Sequence, residues 1–555
     1  MIFGILMVVR RLLILLVLAI GWGYWIGRFT GRGKNDNGRV FVWLGVAGFC
    51  GWPLLLQSLV YLGLPLRFTA WPAFAIGVAG LVLAVIAGRR TLVEWLSRGR
   101  VYGLVFTTSF LAQASGLLSI GPMQYFGTGH VDHANYVVTA EFLRSEKFAT
   151  RFEDLGHRPW LLKPLDTKEQ RITQCVVLGA LAEIDRSSAQ ECYGTVSAFF
   201  VALMALATTA WLRTGGLAAG LAGWAGLGAA LTPAITRIQL DGFFSQTATL
   251  FVYPALAGLL TWSAPLTTAT KVCAALLLAF MIGSYSEVAV LGVALVAALV
   301  LFRGPPVRSR VFEFAAIVAG ALFLNAGYLG RLVNFLIGQA LFASNPRVLA
   351  ALFPESGTWI GWGRMFVDLR WPDLVVGTGA GVSFLAVRGV VATGPVQRRE
   401  RLMVVGIALL PLLVLRLMPD FPRYPFGKLA AHFVPIWLGA SMYGLTSFGK
   451  ASVGFRRFAW CCGCFGAAAS FVSAWPFQIE IVRPVGRLKA LSSDALLQSR
   501  RDAEAHPERA YLVAHRDPLM ALWLCYLGRA NPIVLEVRTL GDRIVPSESS
   551  AFRHW

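Results

Sequence analysis

Apolar stretches of about 20 residues recur along most of this chain, and stretches of that length with few charges read as membrane-crossing helices. They fall near 5–27, 40–64, 70–88, 101–120, 194–213, 216–234, 244–262, 271–284, 286–302, 311–330, 372–391, 402–418, 428–448 and 458–476. Backbone polar groups in lipid have no water to pair with, so such spans must be helical. The predicted fold class is therefore an all-α polytopic membrane bundle of about 13–14 transmembrane helices, with a small α/β extracytoplasmic tail at the C-terminus. A hydrophobic share of 56% against 14% charged residues excludes an ordinary soluble domain. The first span is too long, and too arginine-flanked on its far side, for a cleaved signal peptide.

The net charge is +21. Nucleic acid is not the implied partner, because the cations sit in short loops between apolar spans rather than along one patch. The clusters are Arg28/Arg32/Lys34/Arg39, Arg89/Arg90/Arg98/Arg100, Arg213, Lys271, Arg303/Arg308/Arg310, Arg388/Arg398/Arg399/Arg401 and Lys450/Arg456/Arg457. If every span is real, all of these fall on one side, which the positive-inside rule makes cytoplasmic. Arg10 and Arg11 fit that scheme less well. The outward side receives the long loop 121–193, the turn 235–243, the Tyr285-Ser286-Glu287 junction, the segment 331–371, the turn 419–427 and everything after 476. The chain divides into N-terminal membrane helices (1–100), a membrane core carrying the large loop (101–476) and an outward appendage (477–555). Membrane lipid and lipid-linked phosphate are the expected partners of the basic surface. The expected location is a bacterial inner membrane with the active face periplasmic.

Within the loop, Gly121–Thr150 opens on turn signals and then places Asp132, His133, Asn135 and Tyr136 at the start of a helix over 132–148. Ala134, Val137, Val138, Phe142 and Leu143 form its apolar face. Asp132 has two readings: a helix N-terminal cap, or a catalytic carboxylate at the membrane edge. A second helix, 168–186, sets Ile172, Val176, Leu178 and Leu181 against Arg171, Glu183, Asp185 and Arg186, as for a helix at the interface or packed on the bundle. Between the two lie Arg158 and Lys163 around Trp160. Cys175 and Cys192 fall in the same loop and are candidates for a disulfide if it faces an oxidising compartment. Cys461, Cys462 and Cys464 lie in an apolar span without a nearby histidine, so no metal site is expected there. In the tail, Tyr511–Val513 and Pro532–Val537 read as strands around a helix near 517–527.

Familiar soluble motifs are absent or misplaced. Gly444–Lys450 imitates a phosphate-binding loop, but Ala451 follows the lysine and no strand precedes it. Gly377, Gly379 and Gly381 open an apolar helix, where close helix packing explains them. HExxH, GxSxG, paired CxxC and Asp-x-Asp do not occur. Glu287, between two apolar runs, needs a partner or water; Arg237 and Lys428 are the candidate partners. Asp241, four residues after Arg237, reads as a solvated loop residue. Lys428, which follows Arg423 at an outward helix start, either snorkels or binds a phosphate.

This arrangement resembles the GT-C superfamily of integral-membrane glycosyltransferases, whose members include protein O-mannosyltransferases, the lipid A aminoarabinose transferase and mycobacterial arabinosyltransferases. The resemblance rests on the many-span bundle, the large first outward loop with its helices, and the acidic residue Asp132 soon after the preceding span. It covers roughly 101–476. Three extra spans before the loop and the missing Asp-x-Asp depart from it. The resemblance implies a sugar transferase using a polyprenyl-phosphate donor and an extracytoplasmic acceptor hydroxyl. Asp132 would be the base, and Lys428, Arg423, Arg158 and Lys163 would hold the donor phosphate. Glu287 would be the second catalytic residue, orienting one of these cations or contacting the sugar, and His133, Asn135, Tyr136, Tyr285, Asp241 and Arg237 would line the substrate. No cofactor and no metal is expected, although His130, Asp132 and His133 form a conceivable divalent-metal set. Two other readings stay open: a flippase or transporter for a lipid-linked sugar, and a Wzy-like polysaccharide polymerase.

Overall fold

A computed structural model describes residues 2–30, 39–87, 99–127, 131–151, 158–161, 164–165, 171–262, 266–304, 306–343, 359–368, 371–392, 394–417, 423–447, 468–470, 472–483, 494–506, 508–513, 518–529, 531 and 533–535. Three helices lead: α1 (Ile2–Phe29), α2 (Arg39–Tyr61) and α3 (Leu66–Ala87). Next come α4 (Arg100–Gln113) and α5 (Ser115–Ile120), then the loop helices α6 (Val131–Ser145) and α7 (Thr173–Asp185). The core continues with α8 (Ala189–Thr214), α9 (Ala219–Ala230), α10 (Pro233–Leu240), α11 (Phe244–Thr249), α12 (Val252–Leu259), α13 (Thr268–Ser284) and α14 (Ser286–Leu301). It closes with α15 (Val307–Leu324), α16 (Ala326–Ala343), α17 (Trp359–Arg364), α18 (Pro372–Val391), α19 (Pro395–Leu417), α20 (Arg423–Ser447) and α21 (472–482). The tail holds α22 (Asp494–Ala505), β1 (Tyr511–Val513), α23 (Pro518–Leu527) and β2 (Ile533–Leu535). The two strands pair in parallel over three residues each, which is a minimal pairing and not a domain-sized α/β unit.

This is an integral membrane protein built from helices. Among the described residues, five helices are long and apolar enough to span: Ile2–Phe29, Val42–Tyr61, Leu66–Ile86, Ala189–Thr214 and Pro372–Val391. A bent pair adds a sixth at most. That is fewer than the 13–14 spans expected, and the reasons are local. The span expected at 101–120 is interrupted at Ala114. The span expected at 244–262 is two short buried helices, α11 and α12. The helices α13 and α14 have 17 and 16 residues. The first two turns of α19 carry Arg398, Arg399, Glu400 and Arg401. Most of 458–476 lies outside the described residues, as do Cys461, Cys462 and Cys464.

The expected span 311–330 ends early. It stops at Leu324, turns through 91° at Asn325 and continues as α16. The corner is held by buried polar groups: Asn325 Nδ2 donates to Ala279 O (2.9 Å) and Ala321 O (3.1 Å), and its Oδ1 accepts from Gln57 Nε2 at 3.2 Å. Thr173 hydrogen-bonds Gln57 in the same cluster. The segment expected as an outward loop, 331–371, also dips into the bundle: Met365, Phe366 and Val367 are buried, and Trp362 Nε1 donates to Ser383 Oγ at 3.0 Å.

Small residues allow the closest helix approaches. A Cβ on Gly444 of α20 would lie 1.9 Å from Leu385 O of α18, and one on Gly389 would lie 2.0 Å from Ala440 O. Gly444, which opens the GLTSFGK stretch, is thus a helix-packing residue. Of the three glycines at 377–381, Gly379 packs against Gly363 while Gly377 and Gly381 face open space. Gly444→Ala is expected to destabilise the purified protein by about 1–3 kcal/mol through overpacking; an unchanged thermal melt would contradict this contact.

Arginines of several basic clusters gather at one end. Arg401 stacks on Tyr443 at 3.4 Å and donates to Gly389 O at 3.1 Å and Gly215 O at 3.5 Å. Arg388 donates to Ser447 Oγ, and Arg303 to Thr261 O. Arg399 lies near both Trp262 and Phe302. Arg303, Arg388, Arg399 and Arg401 are thus brought together with the loop at Gly215. Arg10 and Arg11 sit at the opposite end. Arg11 donates to Asp185 Oδ2 (2.7 Å), Glu191 O (2.6 Å) and Glu191 Oε2 (3.4 Å), and Arg10 to Asp185 Oδ1 (2.6 Å). They serve as partners of buried carboxylates, which explains why they defied the topology rule.

Candidate functional site

The end of the bundle opposite the basic clusters gathers polar residues from α6, α11, α13, α14 and α20. On α6, the predicted apolar face is buried: Ala134, Val137, Val138, Phe142 and Leu143 are each 0% exposed. That fixes the opposite side of the helix. Asp132, Asn135 and Tyr136, spaced at i, i+3 and i+4, share one face, and each remains partly accessible. Asn135 Oδ1 is buried without a hydrogen-bond partner. Tyr136 accepts a hydrogen bond from Ser245 Oγ of α11 at 2.9 Å. Burial pushes its hydroxyl pKa up against the opposing pull of Arg171, so it stays protonated near neutral pH.

Arg171, just before α7, is the hub. It forms an ion pair with Glu287 and donates from Nε to Ser245 Oγ at 3.1 Å. Its guanidinium lies over the rings of Tyr285 (4.9 Å) and Phe335 (5.0 Å). Burial opposes charge on Arg171, but the neighbouring Glu287, Tyr136 and Tyr285 more than offset it and raise its pKa. Of the expected partners of Glu287, Lys428 lies within electrostatic reach and Arg237 pairs with Asp241, while the hydrogen-bonded ion pair is made by Arg171. The other carboxylate oxygen, Oε2, is buried without a hydrogen-bond partner. Arg171 was visible only as one polar residue of a helix, because 116 residues separate it from Glu287.

Lys428, on the second turn of α20, completes the group. It interacts electrostatically with Asp132, Arg171 and Glu287. Its ammonium sits 5.0 Å from the centre of the Phe243 ring, and its carbonyl accepts from Gln246 Nε2 at 2.7 Å. It points inward and does not snorkel. One turn further, His432 accepts from or donates to Thr249 Oγ1 at 3.0 Å and stacks on Tyr285. Two carboxylates and two cations balance, which keeps partly buried charge tolerable. Glu287→Gln should leave Arg171 uncompensated and lower stability by about 3–5 kcal/mol; a melting temperature equal to wild type would show that the pair is not structural.

Other predicted residues lie apart. Arg237 pairs with Asp241 at 3.2 Å, with side chains 42% and 19% exposed. The following Gly242, at φ 82°, places its backbone against His133, where a Cβ would meet the His133 nitrogen at 2.9 Å. His133 itself is buried, stacked on Tyr193 at 3.8 Å and edge-on to Trp523 at 5.6 Å, so it builds the wall behind Asp132. Arg158 pairs with Glu146 at 2.7 Å, beyond the far end of α6 and roughly 20 Å along the helix axis from Asp132. The Arg423 side chain, Lys163 and His130 lie outside the described residues. Among those described, no three His, Cys, Asp or Glu side chains gather as a metal would require. Cys175 and Cys192 are both buried free thiols. Cys192 faces Ser187 Oγ at 3.2 Å, which corrects the disulfide expectation. The helix α7 is packed inside the bundle rather than lying at the interface, with its acids bound by Arg10, Arg11 and Arg144.

The tail closes over the back of α6. Arg529 donates to Glu141 at 3.0 Å, Arg500 to Glu191 at 2.9 Å, and Trp523 packs edge-on against Phe126 at 4.9 Å.

No protein-family model matches the chain, and no curated protein matches it. Among solved structures it is similar to the oligosaccharyltransferase of Archaeoglobus fulgidus in the apo form, at 12% identity and a TM-score of 0.40, covering 79% of this chain and 65% of that one. The same enzyme in complex with Zn and sulfate gives 12% identity and a TM-score of 0.40, with 63% of that chain covered. The chain spans less than two thirds of that enzyme's length. A likeness of this size fixes no chemistry, which has to come from the side chains themselves.

Proposed function

We propose that this protein is a membrane glycosyltransferase that moves a sugar from a polyprenyl-phosphate donor to an acceptor hydroxyl on the extracytoplasmic face. The observation that carries the reading is that Lys428 lies within electrostatic reach of both Asp132 and Glu287, at the end of the bundle opposite the basic clusters. In this reaction Asp132 takes the proton of the acceptor hydroxyl as its oxygen attacks the anomeric carbon. The bond between that carbon and the phosphate oxygen breaks, and the polyprenyl phosphate leaves as an anion. Lys428 and Arg171 stabilise the departing charge. Glu287 holds Arg171 in position, and Asn135 and Tyr136 offer hydrogen bonds to the sugar or acceptor.

The packing below the site favours a transferase over a carrier. A carrier needs a polar path to the other face. Here Phe49 packs on Phe199 (5.1 Å), Phe200 (5.8 Å), Phe251 (6.2 Å) and Phe280 (6.0 Å), and Phe200 in turn on Phe244 (5.5 Å). This aromatic plug lies directly under Tyr136 and Tyr193, whose rings also contact Phe244. Mass spectrometry of cell-envelope glycans in a deletion strain should show one glycosylated species missing its sugar, restored by the wild-type chain. An unchanged glycan inventory would remove the transferase reading.

A further inference from the structure

On the outside of the bundle, α5 and α21 frame a groove of about 260 Å³ that lies apart from the Asp132–Lys428 group. Its floor follows from the break at Ala114. The interrupted ladder frees Gly116 N–H to donate to Gln478 Oε1 at 3.1 Å. A Cβ at position 116 would come within 2.8 Å of that oxygen, so a side chain there would push the amide aside. Gln478 is 4% exposed, and with Oε1 engaged its Nε2 faces the groove as a buried donor without a partner. Such a donor is costly to leave unmade. Arg483 stands at the mouth, one turn beyond Ile479, with no ion-pair partner among the described residues. Ser115 and Ser119 line the same wall, and no carboxylate does. The apolar side is made by Trp475, Ile479 and Val482, 42%, 40% and 40% exposed. An amphipathic tryptophan beside a cation is typical of the headgroup level of a membrane.

We infer that this groove binds the phosphate headgroup of an anionic phospholipid from the outer leaflet. Arg483 meets the phosphate charge, the Gln478 amide donates to a phosphate or glycerol oxygen, and Trp475, Ile479 and Val482 follow the upper acyl chain. The shape suits a lipid more than a free anion, because most of the lining is apolar and the groove is open to the outside. The inference is independent of the role given to Asp132.

The test is native mass spectrometry of the detergent-purified full chain, incubated in turn with dioleoylphosphatidylglycerol, dioleoylphosphatidylcholine and inorganic phosphate. The wild type is expected to retain one phosphatidylglycerol, and phosphatidylcholine and phosphate are not. Arg483→Gln should reduce that retention about tenfold or more, since it removes one charge-assisted contact. Gln478→Leu should reduce it as well; Arg483 lies on an exposed helix end, so its variant keeps the test decisive if the Gln478 variant misfolds. Equal retention by Arg483→Gln and wild type would overturn the proposal. So would equal retention of phosphatidylcholine, or a phosphate adduct that displaces the lipid.

Discussion

Asp132→Asn is expected to lower sugar transfer by about 10²–10⁴-fold, the range for losing a general base, while the protein still folds and inserts. The substitution keeps the shape of the side chain. It gives up one favourable charge at the first turn of α6, worth about 0.3–1 kcal/mol. Asp132 is partly exposed, and Lys428 keeps Glu287 as a second carboxylate when Asp132 is neutralised. Loss of turnover with an unchanged melting temperature separates the base from a mere helix cap, since asparagine caps as well as aspartate. Normal turnover in the variant would remove Asp132 from the mechanism. Lys428→Gln should act differently: it should weaken binding of the donor and also slow turnover, because its ammonium meets the phosphate in the ground state and stabilises the charge that grows on it as it departs.

The second large effect is on stability and lies away from the chemistry. Arg11 is wholly buried, as is the Asp185 side chain, and together with Arg10, Glu191 and Arg500 they form one network joining α1, α7, α8 and the tail. Removing Arg11 leaves the buried Asp185 with only the exposed Arg10 and Glu191 with only Arg500, in a low-dielectric interior. Arg11→Gln is expected to destabilise the protein by about 3–5 kcal/mol, read as a lower melting temperature and reduced yield in membranes. Adding Asp185→Asn to it should restore part of the loss, because the buried carboxylate left with only the exposed Arg10 is then gone. Arg11→Lys should not substitute fully, since three separate acceptors are met by the fork of one guanidinium. A melt unaffected by Arg11→Gln would show that water reaches the network.

The sequence showed what depends on local pattern. Periodicity located the apolar face of α6, and loop charges separated the two ends of the bundle. Helix interruptions were less visible. The break at Ala114 and the division of 244–262 into two helices occur inside apolar runs that look continuous. The 91° turn depends on Gln57 and Thr173, far from Asn325 in the chain. The same limit applied to the site. Asp132, Glu287 and Lys428 stood out individually, because each is a charge beside an apolar run. Arg171 did not, because its importance comes from the Glu287 it meets across the fold. Arg158 looked like a phosphate ligand beside an aromatic, yet Glu146 already occupies it.

The most direct test is an electron cryomicroscopy structure of the full chain with undecaprenyl phosphate. Our account predicts the phosphate against the Lys428 ammonium and the Arg171 guanidinium, with the Asp132 carboxylate across the same opening and the lipid chain running toward the non-cytoplasmic leaflet. A phosphate bound at the basic end of the bundle, or one that leaves Lys428 and Asp132 separated by packed side chains, would contradict it.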